Sequence, residues 1–170
     1  MPTTAYLTLT AKAQGAVKGD VTAKGREGAI ALLAVAYEIS VPLDPTTGLP
    51  SGKRQHKPIV VSKAIDETSP NFLKALVTNE ILTTVKIDFW RPAPETAAPY
   101  FSIALTNAVL TDVKLNSSAD EATSEIEQLQ FVYQSIVWTW TPSGTSAQDD
   151  WSASGYARGV KIAAKQGPNR

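Results

Sequence analysis

The chain has one histidine, His56, in the run Gly52-Lys53-Arg54-Gln55-His56-Lys57-Pro58. Imidazole is the usual proton-transfer group near neutral pH, so acid–base chemistry would be sought here first. The neighbours argue against it. Lys53, Arg54 and Lys57 disfavour a protonated ring and repel a metal cation. Asp44 and Asp66 carry oxygens, yet nothing in the sequence fixes them near His56. Zinc wants several nitrogen or sulfur ligands, and a chain with one histidine and no cysteine has no such set. No serine stands in a G-x-S-x-G turn, and no phosphate-cradling glycine loop occurs. Asp120, Glu121, Glu125 and Glu127 match neither a calcium loop nor a catalytic carboxylate pair, and they read as a solvated loop. No catalytic residue, metal or cofactor is expected.

His56 belongs instead to a long polar segment, Leu43 to Lys57, flanked and interrupted by Pro42, Pro45, Gly48, Pro50, Gly52 and Pro58. Loops of this length inside a domain usually have a task of their own. A segment with a cluster of cations but no partner carboxylate or nucleophile at useful spacing suits reaching towards another molecule better than catalysis. The elements around it read mostly as strands. Leu7, Leu9 and Ala11 alternate with Thr8 and Thr10, and Val85, Ile87 and Phe89 alternate with Lys86 and Asp88. Strands are expected over 5–12, 29–40, 58–65, 82–91, 99–107, 108–115, 127–140 and 156–164, with a bend at Asn107. The one helix is expected from Ser69 to Asn79. Ser69 serves as N-cap, Pro70 takes the first helical position, Phe72, Leu73, Leu76 and Val77 form an apolar stripe, and Asn79 stops it. Residues 119–127 and 141–150 read as loops. The fold class is mainly β, an antiparallel β-barrel with one flanking α-helix and a long extended loop, in a single domain over residues 1–170.

The stretch Glu127 to Trp140 changes character along its length. Leu129, Phe131 and Tyr133 face one way and Gln128 and Gln130 the other, but beyond Gln134 both faces are apolar, with Ile136, Trp138 and Trp140 beside Val137. A barrel strand points only one face inward. The second must be covered by the helix, a terminal segment or another subunit. In the last case Ile136, Trp138 and Trp140 form an interface strand.

Composition narrows the partners. Sixteen basic residues balance sixteen acidic ones, so there is no general pull towards nucleic acid or anionic membrane. Hydrophobic content of 43% fits a folded domain. The longest apolar run, Ala29 to Tyr37, is about half of what a bilayer-spanning helix needs, so membrane insertion is not expected. The opening residues MPTTAYLTLTAK lack the pattern of a signal peptide, so export is expected to bypass the general secretory route.

The order of features resembles the Hcp (haemolysin-coregulated protein) family, the tube protein of type VI secretion systems. The resemblance runs from Lys18-Gly19-Asp20-Val21 through the loop ending Gly52-Lys53-Arg54-Gln55-His56-Lys57-Pro58. It continues through Ser62-Lys63, Ile65-Asp66 and Thr68-Ser69-Pro70, then Val85-Lys86-Ile87-Asp88-Phe89-Trp90-Arg91. It closes with Tyr100, Ile103, Leu105, Thr106 and Asn107, and with Glu127, Phe131, Tyr133, Ile136 and Trp138. The resemblance implies a structural subunit that forms homohexameric rings. Rings stack into a hollow tube, within a contractile sheath and behind a spike, and the lumen can carry small effector proteins. It implies assembly in the cytoplasm followed by secretion through the type VI apparatus. It also implies that the long loop reaches an adjacent subunit, through Leu43, Asp44, Thr46, Thr47, Leu49, Lys53, Arg54, Gln55, His56 and Lys57. Two rival readings stand beside it. One is a secreted β-sandwich module binding carbohydrate or protein, with sugars stacked on Trp90, Trp138, Trp140 and Trp151. The other is a hydrolase using His56 with Asp44 or Asp66.

Overall fold

The computed structural model describes residues 5–91, 98–119 and 125–150. Period-two alternation resolves into a curled ten-stranded antiparallel sheet and a separate two-stranded ladder. In chain order the elements are β1 (Ala5–Ala11), β2 (Gly15–Val17), β3 (Ile30–Leu32), β4 (Ala34–Ala36), β5 (Ile39–Ser40), β6 (Gln55–His56), β7 (Ile59–Ala64), α1 (Ser69–Val77), β8 (Leu82–Phe89), β9 (Phe101–Asn116), β10 (Ile126–Val132), β11 (Ser135–Trp140) and β12 (Thr145–Asp150). The main path runs β2-β1-β8-β9-β10-β7-β4, with β3 on β1, β11 on β9 and β12 on β11. Leu7, Ile59, Leu82, Ile87, Leu129 and Phe131 fill the interior with no exposed surface.

The expectation of a mainly antiparallel β fold with one helix holds. Hydrogen bonds do not run all the way round, however. β3 lies along β1 and β4 lies along β7, and these two segments are joined by the chain itself at Leu33, whose N–H donates to Ser62 O at 2.7 Å. The expected single strand over 29–40 is therefore three short pieces, because the segment changes partner at Leu33 and leaves the main sheet before β5. The opposite happens further on. The two strands expected over 99–115 are one, β9, which pairs with β8 and β11 along its first half and with β10 along its second. Asn107 is the bend, with a left-handed φ of 49°. Its side-chain amide donates to Gln134 Oε1 at 2.8 Å, where the expected strand 127–140 breaks between β10 and β11. A bend in the shared strand requires a break in the strand beside it.

Two further expectations are corrected. Residues 141–150 are not simply a loop, since Thr145–Asp150 forms β12 along β11 after a turn at Gly144 with φ 70°. Its residues TSAQDD carry little β propensity, and β11 supplies the order. Ser69 is not the N-cap. It is the first helical residue, Thr68 occupies the cap without a side-chain capping bond, and the Ser69 hydroxyl is used elsewhere. Asn79 does stop the helix. It adopts φ 49°, its N–H donates to Leu76 O, and Glu80 N–H reaches back to Ala75 O, a Schellman ending. The strand expected over 156–164 lies outside the described residues.

The turn region before β3 tolerates no side chain at Gly19. A Cβ there would sit 2.4 Å from Ala29 O, and Gly19 N–H is tied to Gly28 O at 2.8 Å, so the backbone cannot retreat. Gly19→Ala is expected to destabilise the fold by roughly 1–3 kcal/mol, read as a lowered midpoint in thermal unfolding. An unchanged midpoint would show that the loop yields easily.

Candidate functional site at the base of the arm

The segment between β5 and β6 leaves the body as an arm. Asp44 Oδ1 accepts the N–H of Thr46 at 2.7 Å and that of Thr47, and a bridge between Leu43 and Pro50 folds the tip back on itself. Asp44 is thereby committed to its own turn. The tip exposes apolar surface, Leu43 at 62% and Leu49 at 64%, with Ile39 and Val41 also exposed nearer the body. Thr46, Thr47, Lys53, Gln55 and Lys57 are exposed as well, with Lys57 pairing with Glu38 at 2.7 Å.

The base of the arm is different. His56 is almost wholly enclosed, its side chain 3% exposed. Its Nε2 lies 2.6 Å from Asp149 Oδ2 on β12, and its Nδ1 lies 2.8 Å from the Tyr133 hydroxyl. Tyr37 completes the set, its hydroxyl 3.1 Å from that of Tyr133 and 3.3 Å from Nδ1. Arg54 Nε and one terminal nitrogen both donate to the Asp149 carboxylate, and the guanidinium also reaches Asp150 O at 3.4 Å. The imidazole stacks on Trp138, with ring centroids 6.5 Å apart and planes 13° from parallel. Trp138 shares the inward face of β11 with Ile136, packs against the core and is stacked under the arm's own base, so it needs no second subunit to cover it. Of the other expected interface residues, Ile136 lies in the core at 1% exposure and Trp140 remains 42% exposed beside Tyr100.

The electrostatics explain what this cluster can do. The Arg54 guanidinium, with help from His56, holds the Asp149 carboxyl down to about 2 against the opposing effect of burial. Burial pushes the Tyr133 hydroxyl well above the ordinary tyrosine range, reinforced by Tyr37, and burial raises Tyr37 too. Both phenols stay neutral, so they serve as hydrogen-bond partners rather than bases. The carboxylate partner of His56 is Asp149, not Asp44 or Asp66. Among the described residues the cluster offers no serine nucleophile and little open surface, so it can hold two segments together. Because the Asp149 pKa is depressed on folding, its stabilisation is present above the ordinary carboxylate pKa and disappears as pH falls through about 2. Arg54 is one-third exposed, so the contribution is about 1–2 kcal/mol after screening. Wild type and Asp149→Asn are therefore expected to differ in melting temperature at neutral pH, with the gap shrinking below about pH 4 and closing only below about pH 2. A gap that is constant with pH would rule out this electrostatic origin.

A second polar cluster is buried in the body. Lys63 on β7 and Glu127 on β10 are directly opposite in register, both with no exposed surface, and Lys63 Nζ lies 2.7 Å from Glu127 Oε2. The ammonium also donates to Asp66 Oδ1 at 2.9 Å and Ala64 O at 2.8 Å, and it lies over the Phe72 ring. Ser69 Oγ donates to Glu127 at 2.8 Å and accepts from Asp66 N–H, which anchors the helix start to the sheet. Burial opposes ionisation of Asp66, but its hydrogen bonds from Thr68 and Lys63 bring its pKa below the ordinary value. Glu127 therefore does not belong to a solvated acidic loop. Asp120 and Glu121 lie outside the described residues, and Glu125 is exposed at the turn before β10. The clue available in the sequence was phase. Lys63 continues Ile59 and Val61, and Glu127 precedes Leu129 and Phe131, each on the inward side of its strand.

Neither cluster provides a row of stacking tryptophans. Trp90 is buried, Trp138 lies under the arm, and Trp151 is outside the described residues.

Fold and site together define a small antiparallel β module that carries an exposed apolar arm on a braced base. Residues 6–140 match the family model described as type VI secretion system effector, Hcp. The chain belongs to the Hcp family of type VI secretion proteins. It is 34% identical over 166 residues to the "Major exported protein" of Pseudomonas aeruginosa, covering 89% of this chain and 96% of that protein. A crystal structure of an Hcp protein superposes with a TM-score of 0.78 at 27% identity, over 86% of this chain and 98% of that one. The Hcp1 protein of Escherichia coli EAEC 042, in mutant form, gives 0.78 at 28% identity, over 88% and 99%. No helix among the described residues is long and apolar enough to cross a membrane.

Proposed function

We propose that this chain is a structural tube subunit, forming homohexameric rings that stack into a hollow tube and can carry small effector proteins. The observation that carries this reading is the arm: Leu43 and Leu49 stand 62% and 64% exposed on a folded tip. Two large aliphatic side chains held in water on an ordered arm favour a partner surface. In a ring that surface is another copy, met head to tail, so each subunit presents two different lateral faces. Leu43, Asp44, Thr46, Thr47, Leu49 and Lys53 are the arm residues that meet it, and Trp140 offers a further exposed aromatic. The subunit performs no reaction of its own. Its other partners are the sheath outside the tube and the spike at its tip. Export through the type VI apparatus is supported by membership of the family and by the name of the relative, an exported protein. Native mass spectrometry of purified protein tests the reading: a closed assembly of about six copies is expected. A particle that stays monomeric at every concentration would overturn it.

A further inference from the structure

The arm's attachment to the body is unusual in what holds it. Its two ends form a ladder of only two residue pairs, Ile39 with His56 and Ser40 with Gln55, separate from the ten-stranded sheet. The ladder follows the β4–β7 pair after two residues on each strand, with Lys57 N–H on Glu38 O between them, so the backbone holds its root, but so few pairs do little to keep the arm from swinging. Side chains add the further hold on its direction. Asp149 is gripped from two sides, by the Arg54 fork and by His56 Nε2, while the imidazole plane is set by Trp138 beneath it and by Tyr133 at its other nitrogen. Two attachments at one carboxylate, together with a stacked ring, constrain rotation as well as position. A single salt bridge would constrain neither well.

We propose that Arg54, His56 and Asp149 form a latch that sets the pose of the arm, so that pairing between copies depends on bonds made within one subunit as well as on the exposed tip. This rests on the tube-subunit reading and adds its control point. The physical reason is preorganisation. An arm already aimed loses less freedom on binding than one free to swing, and the latch carries that cost within the monomer. The charged groups around it are Arg54 just before β6, Asp149 and Asp150 on β12, and the Glu38–Lys57 pair across the β5–β6 ends, with the neutral phenols Tyr37 and Tyr133 closing the inner side.

The chain has no cysteine, so spin labels can be placed cleanly at Thr47→Cys on the arm tip and Thr84→Cys on the outer face of β8. Tip-to-body distances are read by pulsed electron resonance, with labelled chains diluted into unlabelled ones so that only distances within one chain count. Ring fraction is read on the same samples by native mass spectrometry. The expected result is a narrow distribution for the labelled wild type and a broad one for Asp149→Asn. The variant should also form rings at least about tenfold more weakly, with its β-rich circular dichroism retained. Arg54→Gln leaves the His56–Asp149 bond in place and serves if Asp149→Asn does not fold. Arg54→Lys keeps the charge without the fork and should also broaden the distribution. An unchanged distance distribution overturns the latch, whatever happens to the rings. Broadening with undiminished ring formation overturns the link between pose and pairing. Absence of rings in wild type overturns the tube reading, and the distribution widths still decide whether the latch holds the arm.

Discussion

Lys63→Met is expected to be among the most damaging single substitutions in the body, costing about 3–5 kcal/mol of folding stability. The reason is asymmetry. The substitution removes a cation but leaves Glu127 fully buried and deprives Asp66 of one of its donors. A carboxylate enclosed in the body without its ammonium must either stay charged at high cost or take up a proton. The helix start should loosen with it, because Ser69 and Asp66 share the same network. At roughly 2–4 °C per kcal/mol for a chain of this size, the melting temperature should fall by about 10 °C. The double variant Lys63→Met with Glu127→Leu removes both charges and should recover much of the loss, since matched apolar pairs often equal buried ion pairs. If the single variant melts within a degree or so of wild type, the pair is not the brace described here.

Removing Thr46 to Gly52 should have the largest effect on assembly and a small one on folding. The excised residues form the exposed tip, whose internal bonds run within the arm. Arg54, His56 and Asp149 remain, so Trp138 stays covered and the body should keep its β-rich circular dichroism. What disappears is Leu49 and the turn that presents Leu43. Size-exclusion chromatography and electron microscopy are expected to show folded monomer where the intact chain gives rings. Rings of normal size from the shortened chain would mean that lateral pairing lies elsewhere on the body. Trp138→Asp makes the contrast. It places a carboxylate against the His56 stack and near Asp149, so it should disturb the arm base and the fold, not merely separate copies.

The two outcomes also separate what each polar cluster does. Lys63 and Glu127 stand where Ile59 and Leu129 would continue the core, so their charges register β7 against β10 and fasten α1 over that end. The arm-base cluster joins the separate two-stranded ladder to β11 and β12 of the main sheet and so fastens one segment to another. Family resemblance pointed to both without distinguishing them, since Lys63, Glu127, His56 and Tyr133 all fall among the residues that carry it.

Much of this protein was legible along the chain. Period-two alternation marked β1, β7 and β8 to within a residue or two and the start of β10, though not its end, and Pro70 and Asn79 bracketed the helix, because these signals depend on neighbours a few residues apart. Asn107 marked a bend, as a left-handed position favours asparagine. Three things came only from the tertiary structure. β12 is polar and exposed, so no local pattern announced it, and its order comes from the β11 edge. The split of the second strand region depends on which edge each half meets, β1 or β7. Finally, His56 appeared without a carboxylate partner because Asp149 lies 93 residues away, brought beside it by a hairpin that the sequence did not reveal. Alternation and caps are written in adjacent residues, whereas ion pairs between distant strands exist only once the ladders have set their register.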